Sequence, residues 1–165
     1  MTKFAVLPMA VALLAGTAAT AHAADVAEEA VTEFRFTADA GAHPLHSASG
    51  VWATPDREVR VWESENVVKI DSATWQNSEP FRLELSTPDG SALGVGAYQQ
   101  GQAPETLRTL VIFNGLGCVE ARAAVLVDRI ERNAEGSLTA FDATLEHYCV
   151  GSDDQGLHAQ VRYRA

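Results

Sequence analysis

At 165 residues, 47% of them hydrophobic and 21% charged, the chain has the make-up of one folded domain and not of a disordered polymer or a membrane bundle. Acidic side chains outnumber basic ones 22 to 12, for a formal charge of −10. Such a surface repels phosphate backbones and anionic headgroups, which argues against nucleic acid as a partner.

The N-terminus reads as an export signal. Lys3 gives a positive start, Phe4 to Ala15 is apolar apart from Pro8, and Ala21-His22-Ala23 has the small-x-small pattern of a cleavage site. Residues 1–23 are therefore expected to be a signal peptide, and the protein to be periplasmic or secreted. The remaining residues, about 142, carry 11 basic and 22 acidic side chains, a charge of −11. No later apolar run is long enough for a membrane span, and no cysteine near the cleavage site offers a lipid anchor. No membrane insertion is expected. Residues 24–30 read as a flexible acidic lead-in, and 31–165 as a single β-rich domain.

Alternation of polar and apolar residues then marks strands in chain order. Glu33 to Thr37 sets Phe34 and Phe36 on one face. Gly50-Val51-Trp52 is similar to the Gly-x-Trp of lipocalin-like barrels. Glu58 to Val61 and Phe81 to Leu85 alternate, and Pro88-Asp89-Gly90 supplies a turn. Leu107 to Phe113 is more continuously apolar, as suits a strand buried on both faces or central in a sheet. Val119 to Ile130 has a composition that a helix would also accept. The alternation of Ala121, Ala123, Val125 and Val127 with Arg122, Ala124, Leu126 and Asp128 favours a strand. Asn133 to Gly136 turns this strand into Phe141 to Glu146, predicting a hairpin. Leu157, Ala159, Val161 and Tyr163 alternate through a last strand. Eight to ten strands without helical crossovers predict an all-β, single-domain antiparallel β-sandwich with one disulfide, the alternative being a closed up-and-down β-barrel.

Cys118 and Cys149 are the two cysteines. In an oxidising compartment a pair with none left over is most simply one disulfide. If the intervening segments form the predicted hairpin, the bond closes its open ends. The chain-entropy account assigns a loop of this length roughly 3–4 kcal/mol.

Gly115-Leu116-Gly117-Cys118, the Gly136 turn, Phe141 to Glu146, Cys149-Val150-Gly151 and Gln160-Val161-Arg162-Tyr163 together resemble a group of exported bacterial β-rich domains of uncharacterised function. That group carries a Gly-x-Gly-Cys turn, a strand ending Phe-Glu-Gln-His-Cys-Glu-Gly and a last strand with an Arg-Tyr ending. The resemblance runs from Phe81 onward. It implies the fold, the disulfide and export, and brings no activity. Where the group has His before the Cys, this chain has Tyr148, with His147 one residue earlier.

Chemistry-bearing motifs are sparse. There is no Gly-x-Ser-x-Gly elbow, no His-Glu-x-x-His and no phosphate-cradling loop, so no catalytic, metal or cofactor-binding residue is assigned and an enzyme is not favoured. Asp142 and Glu146 share a strand face about 13 Å apart, too far for a glycosidase pair. His43, His46, His147 and His158 would make a metal site only if the fold converged them, and cleavage after Ala21 would expose His22 as an N-terminal copper chelator. Asp89-Gly90 and Asp153-Asp154-Gln155-Gly156 are acidic turns without the spacing of a calcium loop. Trp62 and Trp75 fall in phase with polar residues, as in a ring-stacking platform. The reading is an exported, non-enzymatic binding or accessory module for an unidentified ligand, carbohydrate or cell-surface component, with Trp62 and Trp75 as candidate contacts. The alternatives are a lipocalin-like carrier of a small apolar ligand and a histidine-dependent copper protein.

Overall fold

The computed structural model of the protein describes residues 29–56, 58–72, 80–118, 120–151 and 154–165. Residues 1–23, read from sequence as a signal peptide, residues 24–28 of the expected lead-in and Trp75 lie outside them.

The alternating runs form eleven strands: β1 (Val31–Ala38), β2 (Ser49–Ala53), β3 (Arg60–Ser64), β4 (Val67–Ser72), β5 (Phe81–Ser86), β6 (Gly96–Gln100), β7 (Arg108–Phe113), β8 (Leu116–Cys118), β9 (Ala121–Arg132), β10 (Leu138–Cys149) and β11 (Leu157–Arg164). They build two antiparallel sheets, a six-stranded one in the order β2-β1-β11-β10-β9-β6 and a five-stranded one in the order β3-β4-β5-β7-β8. Each sheet keeps two edges, so the barrel alternative is corrected to an open sandwich. The physical reason lies between the sheets. Phe34, Phe36, Trp52 and Phe81 fill that layer with rings, held 4.7 Å apart for Phe34 and Phe81 and 4.5 Å for Phe36 and Trp52. Trp52 of the Gly-x-Trp motif thus packs a sandwich core and does not close a barrel.

Every second residue faces this core: Val125 and Val127 from β9, Ala143 and Leu145 from β10, Ala159 and Val161 from β11, with Ile70, Leu83 and Val111 opposite. Each fully buried Leu, Ile or Phe contributes roughly 1.5–3 kcal/mol relative to exposure. β9 is a strand throughout. Its β-branched valines occupy alternate inward positions, and packing against both neighbours outweighs a composition that a helix would tolerate. It pairs antiparallel with β10 from Cys149↔Ala121 to Leu138↔Arg132, with register shifts near Leu138 and Asp142. The connecting turn is closed by Gly136 N–H donating to Asn133 O (3.0 Å) and Ser137 N–H donating to Asn133 Oδ1 (2.8 Å). Gly136 has φ of 83°, the left-handed conformation that glycine adopts without strain. β7 lies inside its sheet between β5 and β8, as its apolar run predicts.

Cys118 and Cys149 are bonded, with S–S 2.11 Å and Cα–Cα 5.7 Å. Cys118 belongs to β8 of the five-stranded sheet and Cys149 to β10 of the six-stranded sheet. The bond therefore joins the two layers at the corner where the chain crosses between them, as well as spanning the hairpin. At the far end of β9, about 36 Å away at strand rise, Arg132 crosses the layers to the Glu63 carboxylate of β3 through Nε and Nη2, and Nη2 also donates to Leu93 O at 3.0 Å. The Glu63 carboxylate raises the affinity of Arg132 for its proton. One covalent and one ionic tie thus hold the layers in register from opposite ends. Replacing both cysteines by Ala is expected to lower the free energy of unfolding by about 3–4 kcal/mol, from a closed loop with a sequence separation of 31. Urea unfolding of the two forms checks this, and coincident midpoints would contradict it.

Candidate functional site

The antiparallel register of the six-stranded sheet lines up outward-facing side chains across five strands. Arg35 of β1 stands opposite Gln160 of β11, Gln160 opposite Thr144 of β10, Thr144 opposite Leu126 of β9, and Leu126 opposite Ala97 of β6. One rung along, Thr37, His158, Glu146, Ala124 and Gln99 follow the same sequence of strands. These two rungs line an open groove of about 800 Å³ on the outer face of the sandwich. Four strand spacings make it roughly 19 Å across the strands.

Ala97, Ala124 and Leu126 line the groove on β6 and β9, and hydrogen-bonding side chains line it on β1, β10 and β11. The segment after β6 forms one rim. Gly101 N–H donates to Glu105 Oε1 (2.9 Å), Gln99 N–H to Thr106 Oγ1 (3.0 Å), and Gln99 Nε2 to Pro104 O (3.3 Å). Gly101 is needed here. Its φ is 80°, and a Cβ would sit 3.1 Å from Ala121 O and 3.2 Å from Arg122 Cα, so only glycine lets this rim lie close on β9.

At the other end, His158 is set between two carboxylates, with Nε2 3.5 Å from Asp39 Oδ2 and Nδ1 4.0 Å from Glu146 Oε1. The Gly156 N–H donates to Asp39 Oδ2 at 2.9 Å. That bond, with a smaller contribution from His158, draws the Asp39 carboxyl below its ordinary range. Tyr148 meets the His158 ring edge-on at 6.2 Å, and the Arg122 guanidinium lies 4.9 Å over the Tyr148 ring.

The four described histidines do not converge. His43 and His46 sit together in the β1–β2 connection with ring centroids 5.7 Å apart, His43 Nε2 lying 3.2 Å from Gly117 O. His158 faces outward with its cross-strand neighbour Glu146, and His147, next to Glu146 in the chain, faces the core. A one-residue step on a strand reverses the face. Among the described residues no three His, Cys, Asp or Glu side chains are grouped to hold a metal ion. His22 and Asp153 lie outside the described residues. Asp89 uses its carboxylate on its own turn, accepting from Ser91 N–H (3.0 Å) and Oγ–H (2.7 Å). These bonds, the hydroxyl's above all, pull its pKa to about 2. Asp142 is engaged by both Nη groups of Arg164.

Trp62 is placed away from the groove. It is half-buried on β3, as its phase predicts, with the Arg60 guanidinium 5.8 Å from its ring centroid. Arg60 is fixed there by a two-point bond to Asp71, 3.0 and 3.2 Å. Trp62 shares a smaller cleft of about 400 Å³ with Tyr163, Thr32, Val59, Val61 and Arg60. The groove residues were not singled out by sequence because Thr, Gln and Ala on an outward strand face are ordinary. Only strand order makes them one surface. No family model, curated protein or solved structure matches this chain, so the two surfaces are read from their geometry alone.

His147 gives a pH prediction. It is 1% exposed, and among the described residues neither ring nitrogen has a hydrogen-bond partner. Burial pushes its pKa down to about 4. The unfolded chain takes up this proton near 6.5 and the folded chain only near 4, so stability is full above pH 6.5 and falls as pH drops through that window. The loss amounts to about 3 kcal/mol by pH 4. In His147→Leu that component should vanish, leaving a shallower pH dependence in urea unfolding. Parallel curves for the two proteins would contradict the assignment.

Proposed function

We propose that the protein is an exported binding module that holds a short oligosaccharide segment across the outer face of its six-stranded sheet. The observation that carries this reading is the pair of side-chain rungs lining a groove of about 800 Å³, a size typical of ligand sites. Arg35, Gln160, Thr144, Glu146, His158 and Gln99 place donors and acceptors along it, the mixture that ring hydroxyls and their oxygens require. Ala97, Ala124 and Leu126 provide apolar contact for the C–H faces of sugar rings, Leu126 being 47% exposed.

A peptide partner fits less well. Recognition of an extended peptide relies on main-chain bonds at a sheet edge, whereas the main chain under this groove is committed to its ladder. A carrier of a small apolar ligand needs an empty interior, and here the space between the sheets is filled by rings and branched side chains. Export is supported by the signal-like residues 1–23 and by the disulfide, which persists in oxidising compartments.

The test is a titration of the folded protein with a panel of neutral, amino and uronic-acid oligosaccharides, followed calorimetrically. At least one member should bind, and Thr144→Trp, which fills the middle of the groove from an exposed position, should weaken it by at least about tenfold, equivalent to 1.4 kcal/mol. Binding unaffected by Thr144→Trp, or no binding by any member, would overturn the proposal.

A further inference from the structure

β3 ends the five-stranded sheet and pairs with β4 alone. Among the described residues no other element bonds its main chain. The cleft of about 400 Å³ beside it is lined by four consecutive residues, Val59, Arg60, Val61 and Trp62, and by Thr32 and Tyr163 of the other sheet. Val59 and Val61 are buried toward the core, whereas Arg60 and Trp62 stand on the outer face opposite Asp71 and Lys69. Successive side chains on a strand point to opposite faces, so four in a row border one space only where it runs along the strand's edge. The cleft therefore lies against the unpaired main chain of β3, over about 10 Å at strand rise.

The edge at β6 is different. There the Gln99 N–H donates to Thr106 Oγ1 at 3.0 Å, and the Gln99 carbonyl accepts from the Thr106 and Leu107 N–H groups at 2.9 and 3.0 Å, so the chain covers its own edge. An uncovered edge is a template for another strand. What recognises it is an extended peptide, held by main-chain bonds and selected by its alternate side chains. Inward positions of an added strand would meet Val59, Val61 and the partly buried Tyr163 ring, which selects apolar side chains. Outward positions would lie beside Arg60 and Trp62. The Arg60 guanidinium is taken up by Asp71 and Glu58, and Lys69 stands opposite Glu84. The local charge is thus balanced on a chain of net charge −10, whose field favours a basic partner. A second copy is a poorer occupant. Within β3, antiparallel self-pairing about Arg60 or Glu63 sets like charges face to face, and about Val61 or Trp62 it sets a core-facing valine against a Glu63 carboxylate. We infer that the β3 edge is a second binding site, which takes an extended segment of a partner protein, apolar and basic at alternate positions, as a sixth strand of the five-stranded sheet. The site is independent of the groove and of what the groove binds.

The experiment is an amide chemical-shift titration of the folded protein with six-residue synthetic peptides in which Val or Ile alternates with Lys, beside matched peptides with Glu in place of Lys. At least one Lys peptide should bind at millimolar concentration or below, shift the amides of residues 59–62, and bind at least about tenfold more tightly than its Glu counterpart at low salt. Only every second residue of an added strand turns its N–H toward β3. Of two N-methylated versions, one modified on the apolar set and one on the Lys set, one should therefore lose binding at least about tenfold and the other keep it. Thr144→Trp should leave these results unchanged. No binding by any Lys peptide, equal binding of Lys and Glu peptides, N-methylated versions that bind alike, or shifts confined to the groove would overturn the inference. Self-association of the free protein that protects the β3 amides from exchange would also overturn it, and would assign the edge to a second copy.

Discussion

The rings packed between the two sheets set the terms for the rest of the molecule. Phe34 on β1 lies 5.4 Å from Phe36, 5.8 Å from Trp52 on β2 and 4.7 Å from Phe81 of the opposite sheet. Aromatic pairs at these separations add to the area they bury. A layer this thick holds the sheets at sandwich spacing, and it admits only one register. Sliding β1 by one residue would turn Phe34 and Phe36 to solvent and bring Arg35 and Thr37 into the core.

That register in turn makes the outer face. Once β1 is fixed, Arg35 must stand beside Gln160 and Thr37 beside His158, and the same constraint runs through β10 to β9 and β6. The groove is therefore a consequence of core packing and not of flexible loops. The Cys118–Cys149 bond and the Arg132–Glu63 pair hold the two layers at either end of β9. A surface mounted on strands tied in this way pays little entropy when it meets a ligand. His147 is the point where the core departs from apolar rule. Its buried imidazole makes the interior more fragile in acid than a leucine would.

Much of this was legible beforehand, because period-two alternation is a local signal. The strands around Phe34, Leu83, Val125, Ala143 and Val161, the β9–β10 hairpin and the cysteine pairing all follow from residues near one another in sequence. What alternation does not encode is which strands are neighbours. Arg35 and Gln160 are adjacent in space but lie on strands at opposite ends of the chain, so the groove is invisible in the sequence, and so is the fact that the bond closing the hairpin also reaches the other sheet through Cys118. Trp62 stands on the outer face of β3 opposite Lys69, as alternation predicts. Tyr163 continues the inward phase of Leu157, Ala159 and Val161 and packs against the core, as the same alternation predicts.

The central claim is that the six-stranded face binds ligand through its aligned rungs. Amide chemical-shift mapping of uniformly labelled protein, titrated with the oligosaccharide panel, tests it most directly. The account predicts shifts clustered at Arg35, Thr37, Ala124, Thr144, Glu146 and Gln160, which are scattered in sequence and contiguous only on this face. Shifts confined to β3, β4 and β5, or none at saturating ligand, would contradict it.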